Sequence, residues 1–316
     1  MQTLILSCNT GAGHNSCAQA VQEAYHSRGE ICNITDSLQF ISEKASTFIS
    51  NWHTRIYRHA PRLFDAGYQR AESHEDIFCE GTPIYKLLSS GAERMYQYIR
   101  SAGYDNIICT HVFPALALTE MRRQHPCLQL VTSHISTDYT CAPCTADSAL
   151  DWYFIPSTSL LGEFEQCGLQ PQKLIASGIP VRQQFYQRVS QEAGKANAGI
   201  SPAHQHILMM CGSMGCGPME EIISYLCPYL TTEQELSVVC GTNDDLRKKL
   251  QKRTEKYSQF HVLGPVNNVP QLMQASDLFL TKPGGLSTSE AMAAELPMVL
   301  IDAVAGCETH NLNFFP

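Results

Sequence analysis

Two glycines followed by hydroxyl residues, in Lys282-Pro283-Gly284-Gly285-Leu286-Ser287-Thr288-Ser289-Glu290-Ala291, make the segment of this sequence best suited to grip an anion. A strand ending at Thr281 is expected to turn at Gly284 and Gly285 into a helix that opens with Ser287 and Thr288. The backbone amides of such a turn, the two hydroxyls and the positive end of the helix dipole can hold a diphosphate, the dipole contributing roughly 0.3–2 kcal/mol. Glu290, one turn on, comes within reach of a ribose diol. The plainer reading is a glycine turn followed by a capped helix. Cys211-Gly212-Ser213-Met214-Gly215-Cys216-Gly217-Pro218 repeats the pattern earlier in the chain.

A third glycine loop, Asn9-Thr10-Gly11-Ala12-Gly13-His14, follows the first apolar run and leads into an expected helix over Asn15–Arg28. Cys17 or Ala18 holds the third glycine position of a dinucleotide fingerprint, so a nicotinamide or flavin enzyme is a poor fit. His14 adds an imidazole placed for general-base chemistry; the simpler alternative is a helix-capping or merely exposed histidine. Asp138 and His111 are the other candidate bases, both at the expected carboxyl ends of strands, where ligands of parallel sheets gather. No Asp-x-Asp occurs, so a metal held on a diphosphate by that motif is not expected. Cys141-Ala-Pro-Cys144 is the one CxxC, and no second CxxC or HxxxH follows to complete a zinc site.

The elements that must position these residues alternate between short apolar runs and helical patterns, the signature of βαβ units. Strands are expected at Leu4–Cys8, Ile31–Thr35, Asn106–Thr110, Leu128–Thr132, Tyr153–Ile155 and Leu174–Ala176. A second series covers His206–Cys211, Leu236–Cys240, Phe260–Leu263, Leu278–Thr281 and Met298–Ile301. The small, polar stretch from Ser190 to His204 reads as a linker. The expectation is two doubly wound α/β domains facing a cleft: residues 1–185, a linker over 186–204, and 205–316. Five strands before residue 316 fall short of a six-stranded domain, so a missing C-terminal part is expected.

Composition limits the function classes. The chain has 316 residues, 44% of them hydrophobic and only 16% charged. Lys+Arg 22 against Asp+Glu 30 gives a net charge of −8, which argues against sequence-independent nucleic-acid binding. Fourteen cysteines, several of them within apolar segments, fit reduced thiols of a cytosolic protein better than a disulfide framework. No apolar run reaches the roughly 18–20 residues of a membrane span. Between Asp36 and Ser101, Ile41, Ala45, Phe48, Ile49, Trp52 and Ile56 recur at helical spacing. Lys44, Arg55, Arg58 and Arg62 accompany them without an acidic residue from 44 to 64. That pattern predicts either a helix lying on an anionic lipid surface or one packed on the sheet with solvated arginines.

Taken in order, these motifs resemble a known family. The Gly11–His14 loop, Thr137-Asp138-Tyr139, Gly178-Ile179-Pro180-Val181-Arg182 with Phe185, the 281–291 segment, and Gly306-Cys307-Glu308-Thr309-His310-Asn311-Leu312-Asn313-Phe314-Phe315 are similar to the processive diacylglycerol glucosyltransferases and monogalactosyldiacylglycerol synthases. A more distant likeness is to the enzyme that adds N-acetylglucosamine to the undecaprenyl-linked peptidoglycan precursor. The resemblance implies a GT-B fold, a UDP-hexose donor and a lipid acceptor such as diacylglycerol; no cofactor is expected beside the donor, and the Lys44–Phe64 segment suggests peripheral attachment to the cytoplasmic face of the cell membrane. It implies donor contacts at Gly13, Ser213, Gly284, Gly285, Ser287 and Thr288, ribose on Glu290, uracil near Val266, and sugar hydroxyls on Glu308 and Asn311. His14 would be the catalytic or acceptor-positioning residue. Three departures stand out: Cys307 where relatives commonly have Gln, Thr140–Cys144 in place of a His- and Trp-bearing segment, and no helix returning to the first domain. The alternatives are N-acetylhexosamine transfer to a polyprenyl-diphosphate lipid, or a UDP-sugar-binding regulator with weak catalysis.

Overall fold

Every residue of the first strand, β1 (Thr3–Ser7), is buried, as a parallel strand covered on both faces requires. The computed structural model describes the chain apart from residues 1, 10, 43, 45, 48–54, 57–59, 61–62, 64–65, 71–80, 188 and 304–305. Around β1 lie β2 (Cys32–Asp36), β3 (Asn106–Cys109), β4 (Val131–Ile135), β5 (Trp152–Ile155) and β6 (Leu174–Ala176), all parallel, in the order β2-β1-β3-β4-β5-β6. Leaving β1 for β2 on one side and then crossing to β3 on the other creates a topological switch between β1 and β3. In open parallel sheets ligands bind beyond the carboxyl ends of such neighbours. The crossovers carry α1 (Ala12–His26), α2 (Pro83–Ser89), α3 (Ala92–Ala102), α4 (Val112–Gln124) and α5 (Leu161–Gln166).

The second sheet contains β7 (Gln205–Met210), β8 (Gln234–Val239), β9 (Phe260–Leu263), β10 (Leu278–Thr281) and β11 (Met298–Leu300), again all parallel, ordered β11-β10-β7-β8-β9. Its switch lies between β7 and β10. Helices α6 (Gln191–Ala198), α7 (Met219–Leu226), α8 (Asp244–Thr254), α9 (Val269–Gln274) and α10 (Gly285–Ala293) belong with it. One face packs a core of Met209, Met219, Ile223, Leu236, Val238 and Leu250. The other packs Phe185, Leu208, Met210, Val239, Phe279 and Leu296.

The chain forms two compact units, Met1–Pro180 with Ala305–Phe314 and Pro316, and Val181–Val304 with Phe315. Three expectations are corrected. The fourth strand lies at Val131–Ile135 rather than Leu128–Thr132, because Asn106 pairs with Val131 and the polar-looking Thr132-Ser133-His134 is buried. Thr132 satisfies its polar groups on Asp151, whose Oδ2 accepts both the Thr132 N–H at 2.8 Å and the hydroxyl at 2.7 Å. The expected linker contains α6, capped by Ser190, whose Oγ accepts the Ala193 N–H, and closed by Gly199 at φ +72°. Its small residues serve close packing: a Cβ on Gly194 would stand 2.9 Å from the Gln274 carbonyl oxygen of α9. Finally, α11 (Cys307–Phe314), expected in the second domain, packs within the first unit.

Candidate active site

His14 sits in the first turn of α1, since that helix begins at Ala12 and not at Asn15. Gly11 is extended at its N-cap with no side chain to cap it, so the opening amides of α1 face the carboxyl ends of β1 and β3. His14 Nδ1 lies 2.9 Å from the Thr110 carbonyl oxygen and 2.9 Å from the Thr137 hydroxyl. Those two residues closely follow β3 and β4. His111 completes the group: its ring meets that of His14 edge-on, centroids 4.5 Å apart, while its Nδ1 accepts the Phe113 N–H and caps α4. Burial holds the His14 imidazole below the ordinary histidine range, opposed by the field of Asp138 and the bond to Thr110. His134, buried on β4, is pushed down to about 4 by burial and then by His14. Both imidazoles are therefore neutral at pH 7, as a base must be before it takes a proton.

Asp138 does not stand alone. Asn311 on α11 donates Nδ2 to Asp138 Oδ1 at 2.9 Å and accepts the Tyr139 N–H on its Oδ1 at 2.6 Å. Phe314, one turn on, stacks on Tyr139 with centroids 4.4 Å apart. Glu308 is buried on the same helix. The structure thus gathers Asn311 and Asp138 into one cluster of the first unit, with the Asn311 amide engaged there through both its oxygen and its nitrogen.

In the second unit the loops after β7 and β10 flank the switch. Gly212, Gly215 and Gly217 all take positive φ, a conformation that costs glycine little. A Cβ on Gly215 would fall 2.1 Å from the Cys240 carbonyl oxygen, and one on Gly241 equally close to that of Ser213. Thr242 N–H donates to Ser213 O at 2.9 Å and Asn243 Nδ2 to Gly215 O at 3.0 Å. The loop is thereby locked to its neighbour with Ser213 exposed. Beyond β10, Gly284 is the N-cap of α10 and lacks a side chain to bond the first amides. A Cβ there would meet nothing within 4 Å, so the helix start is open.

The two hydroxyls expected on the diphosphate fare differently. Ser287 is half-buried. Thr288 is fully buried and donates its hydroxyl to the Gly284 and Gly285 carbonyl oxygens, both at 3.0 Å. Glu290 is buried within α10, and burial pushes its carboxyl up to about 7 against the pull of Arg182. Val266 packs its side chain on the core around Phe185 and Leu208. Gly13 lies in the first turn of α1 and Gly285 opens α10. Arg55 is exposed, whereas Trp52, Arg58 and Arg62 lie outside the described residues, as do Ala45, Phe48 and Ile49 of the apolar stripe.

Sequence reasoning met four residues inside strands or motifs and gave them no role of their own. Thr110 and Thr137 hold His14, and nothing in their types announced it. Arg182, which lies over the Phe185 ring at 5.4 Å, has a buried Nε without a hydrogen-bond partner among the described residues. Lys282 is buried with its stem across Gly212, where a Cβ would be 3.2 Å from Lys282 Cε. A lysine beside a glycine turn was the available signal for the last. Among the described residues no helix is long and apolar enough to cross a membrane, and no group of three His, Cys, Asp or Glu side chains is arranged to hold a metal ion.

The comparisons with known proteins agree with this architecture. Residues 226–313 match the model described as Glycosyl transferases group 1. A processive diacylglycerol beta-glucosyltransferase of Bacillus cytotoxicus is 24% identical over 328 residues, covering 99% of this chain and 79% of its own. Two solved structures share the fold. UDP-GlcNAc 2-epimerase from Neisseria meningitidis has a TM-score of 0.60 at 12% identity, over 99% of this chain and 85% of its own. MurG from Acinetobacter baumannii has a TM-score of 0.59 at 11% identity, over 99% and 82%. Residues 14–181, more than half of the sequence and beginning at His14, match the model described as Monogalactosyldiacylglycerol (MGDG) synthase, and the chain belongs to that family.

Proposed function

We propose that this protein transfers a hexose from a UDP-sugar to the hydroxyl of a lipid such as diacylglycerol, with inversion at the anomeric carbon. The acceptor oxygen attacks that carbon from the face opposite UDP, and its proton passes to His14. The bond to the diphosphate oxygen breaks, and its electron pair leaves with UDP. General-base help of this kind is worth about 10²–10⁴-fold. The observation that carries the reading is His14 itself, a neutral imidazole beside the β1–β3 switch in a segment matching a glycolipid synthase family.

In the second unit the amides opening α10 at Gly285, with Ser287 and the exposed Ser213, receive the diphosphate. Backbone dipoles stabilise the charge that builds on the leaving group, and the reaction so written calls for no resident cofactor. Glu290 takes the ribose, and the backbone near Val266 takes uracil. Glu308 binds a hydroxyl of the donor sugar. The basic segment of the sequence that contains Trp52, Arg55, Arg58 and Arg62 meets anionic lipid at the cytoplasmic face of the membrane.

The test is incubation with radiolabelled UDP-glucose or UDP-galactose and diacylglycerol, read by thin-layer chromatography, beside H14A. Glycolipid formed by the parent chain, with turnover lost and UDP binding kept in H14A, is expected. Turnover unchanged in H14A would remove the base assignment. Transfer of N-acetylglucosamine to a polyprenyl-diphosphate lipid alone would replace the acceptor class. Flotation with vesicles containing phosphatidylglycerol, but not with phosphatidylcholine vesicles, is expected of the membrane surface.

A further inference from the structure

Among the described residues, the side-chain hydrogen bonds of His14 are made at Nδ1. That nitrogen has two oxygens within reach, the Thr110 carbonyl and the Thr137 hydroxyl, each at 2.9 Å. A carbonyl oxygen has no proton to give, so Nδ1 carries the hydrogen and donates it. With that hydrogen in place the Thr137 oxygen is a second acceptor of the same N–H. Nε2 is left with the lone pair.

We infer that Thr137 is a positioning residue for the transfer reaction: with the Thr110 carbonyl it fixes His14 in the Nδ1–H tautomer and orients Nε2 as the basic nitrogen. The inference rests on the reading of His14 as the base. A single acceptor leaves the ring free to swing about its bonds, whereas two acceptors of one N–H restrict its orientation. The usual partner for such a nitrogen is a carboxylate or a backbone carbonyl. Here the nearby carboxylate, Asp138, has its Oδ1 engaged by Asn311, and it acts on His14 through its field. When Nε2 takes the acceptor proton, the Nδ1–H of the resulting imidazolium faces two neutral oxygens.

The titratable groups around the ring leave this assignment intact. His111, from the β3–α4 junction, has its Nδ1 committed to the Phe113 N–H. His134, from β4, is buried and neutral. Asp138 comes from the segment after β4 and α11 contributes Asn311, which is uncharged. The charge that bears most on His14 is that of Asp138, and it favours the protonated ring that forms during transfer.

The experiment compares T137V, T137S and H14A in the full chain, using UDP-glucose, diacylglycerol and detergent micelles. T137V, which keeps the shape and loses the oxygen, is expected to lower kcat about tenfold, a part of the general-base contribution, with KM for UDP-glucose unchanged. It should also alter the limb of the pH–rate profile assigned to His14. T137S is expected to restore kcat. In parallel, nitrogen-15 spectra of histidine-labelled protein at pH 8 are expected to show the His14 proton on Nδ1 in the parent chain and also in T137V, because the Thr110 carbonyl that requires it remains in both. A proton on Nε2 in the parent chain, or T137V with parental kcat, overturns the inference. Full turnover in H14A would instead sink the base reading, and the spectra would still decide the tautomer.

Discussion

Asn311 and Asp138, 173 residues apart in sequence, share a 2.9 Å hydrogen bond that ties α11 to the segment following β4. The other half of the Asn311 amide accepts the Tyr139 N–H, so the buried Asn311 satisfies both a half-buried side chain and a backbone group. Removing it leaves the Tyr139 N–H and one Asp138 oxygen without that partner. N311A is expected to destabilise the first unit by about 1–3 kcal/mol, and N311D by more, since a second carboxylate would face Asp138. Urea denaturation with limited proteolysis at the C-terminal segment checks this. Unchanged stability and protection in N311D would refute the docking of α11.

Two glycines of the second unit separate folding from binding. At Gly241 a side chain meets the Ser213 carbonyl oxygen, and φ is +54°, so G241A should unfold the unit or cost several kcal/mol. At Gly284 φ is −76° and a Cβ meets nothing. G284A should fold normally while its methyl group crowds the amides proposed to receive the diphosphate. Thermal melts and UDP titration calorimetry distinguish the cases. Full UDP affinity in G284A would mean that the anion sits elsewhere.

The contrast between Ser287 and Thr288 yields a paired test. Thr288 directs its hydroxyl to carbonyl oxygens at the start of its own helix. T288V is therefore expected to alter UDP affinity less than about twofold, and S287A to weaken it about fivefold or more, the loss of one charge-assisted hydrogen bond. The reverse order would show that the hydroxyl groups had been assigned the wrong way round.

Glu290 makes stability and binding pull in opposite directions. Its carboxyl is raised to about 7 in the fold, above the ordinary 4.5. The folded state therefore holds a proton that the unfolded chain releases between those values, and stability falls as pH rises from about 4.5 to about 7. E290Q, neutral at every pH, should raise the melting temperature at pH 8, by on the order of 1–3 kcal/mol of added stability, and have little effect near pH 4.5. The same variant should weaken UDP binding if the carboxylate holds the ribose. An equal stability change at both pH values would exclude the buried carboxyl as its cause.

His134 carries the opposite sign. Its pKa falls to about 4 in the fold, so the unfolded chain binds a proton first on acidification. The stability it contributes is complete above about 6.5 and is lost as pH falls toward 4. H134L should flatten that acid limb in equilibrium unfolding monitored from about pH 8 to about pH 4, and an unaltered limb would argue against a buried neutral imidazole.

Local sequence determined much of this protein. The two series of parallel strands, the helices between them and the glycine turns after Ser7, Met210 and Thr281 could all be read from it, because apolar periodicity and glycine act within a few residues. The family-bearing motifs also lie in short segments. Tertiary structure decided the rest. The helix at Gln191–Ala198 was hidden because its smallness serves close approach to α9, a property of the partner helix rather than of the segment. Buried Thr132, Ser133 and His134 look like surface until the sheet covers them and, at Thr132, a distant carboxylate accepts their hydrogen bonds. Thr288 resembles a ligand until its hydroxyl turns inward. The company of His14 comes from the ends of β3 and β4, Thr110 at 96 and Thr137 at 123 residues' distance in sequence, and only the register of the sheet brings them to one imidazole.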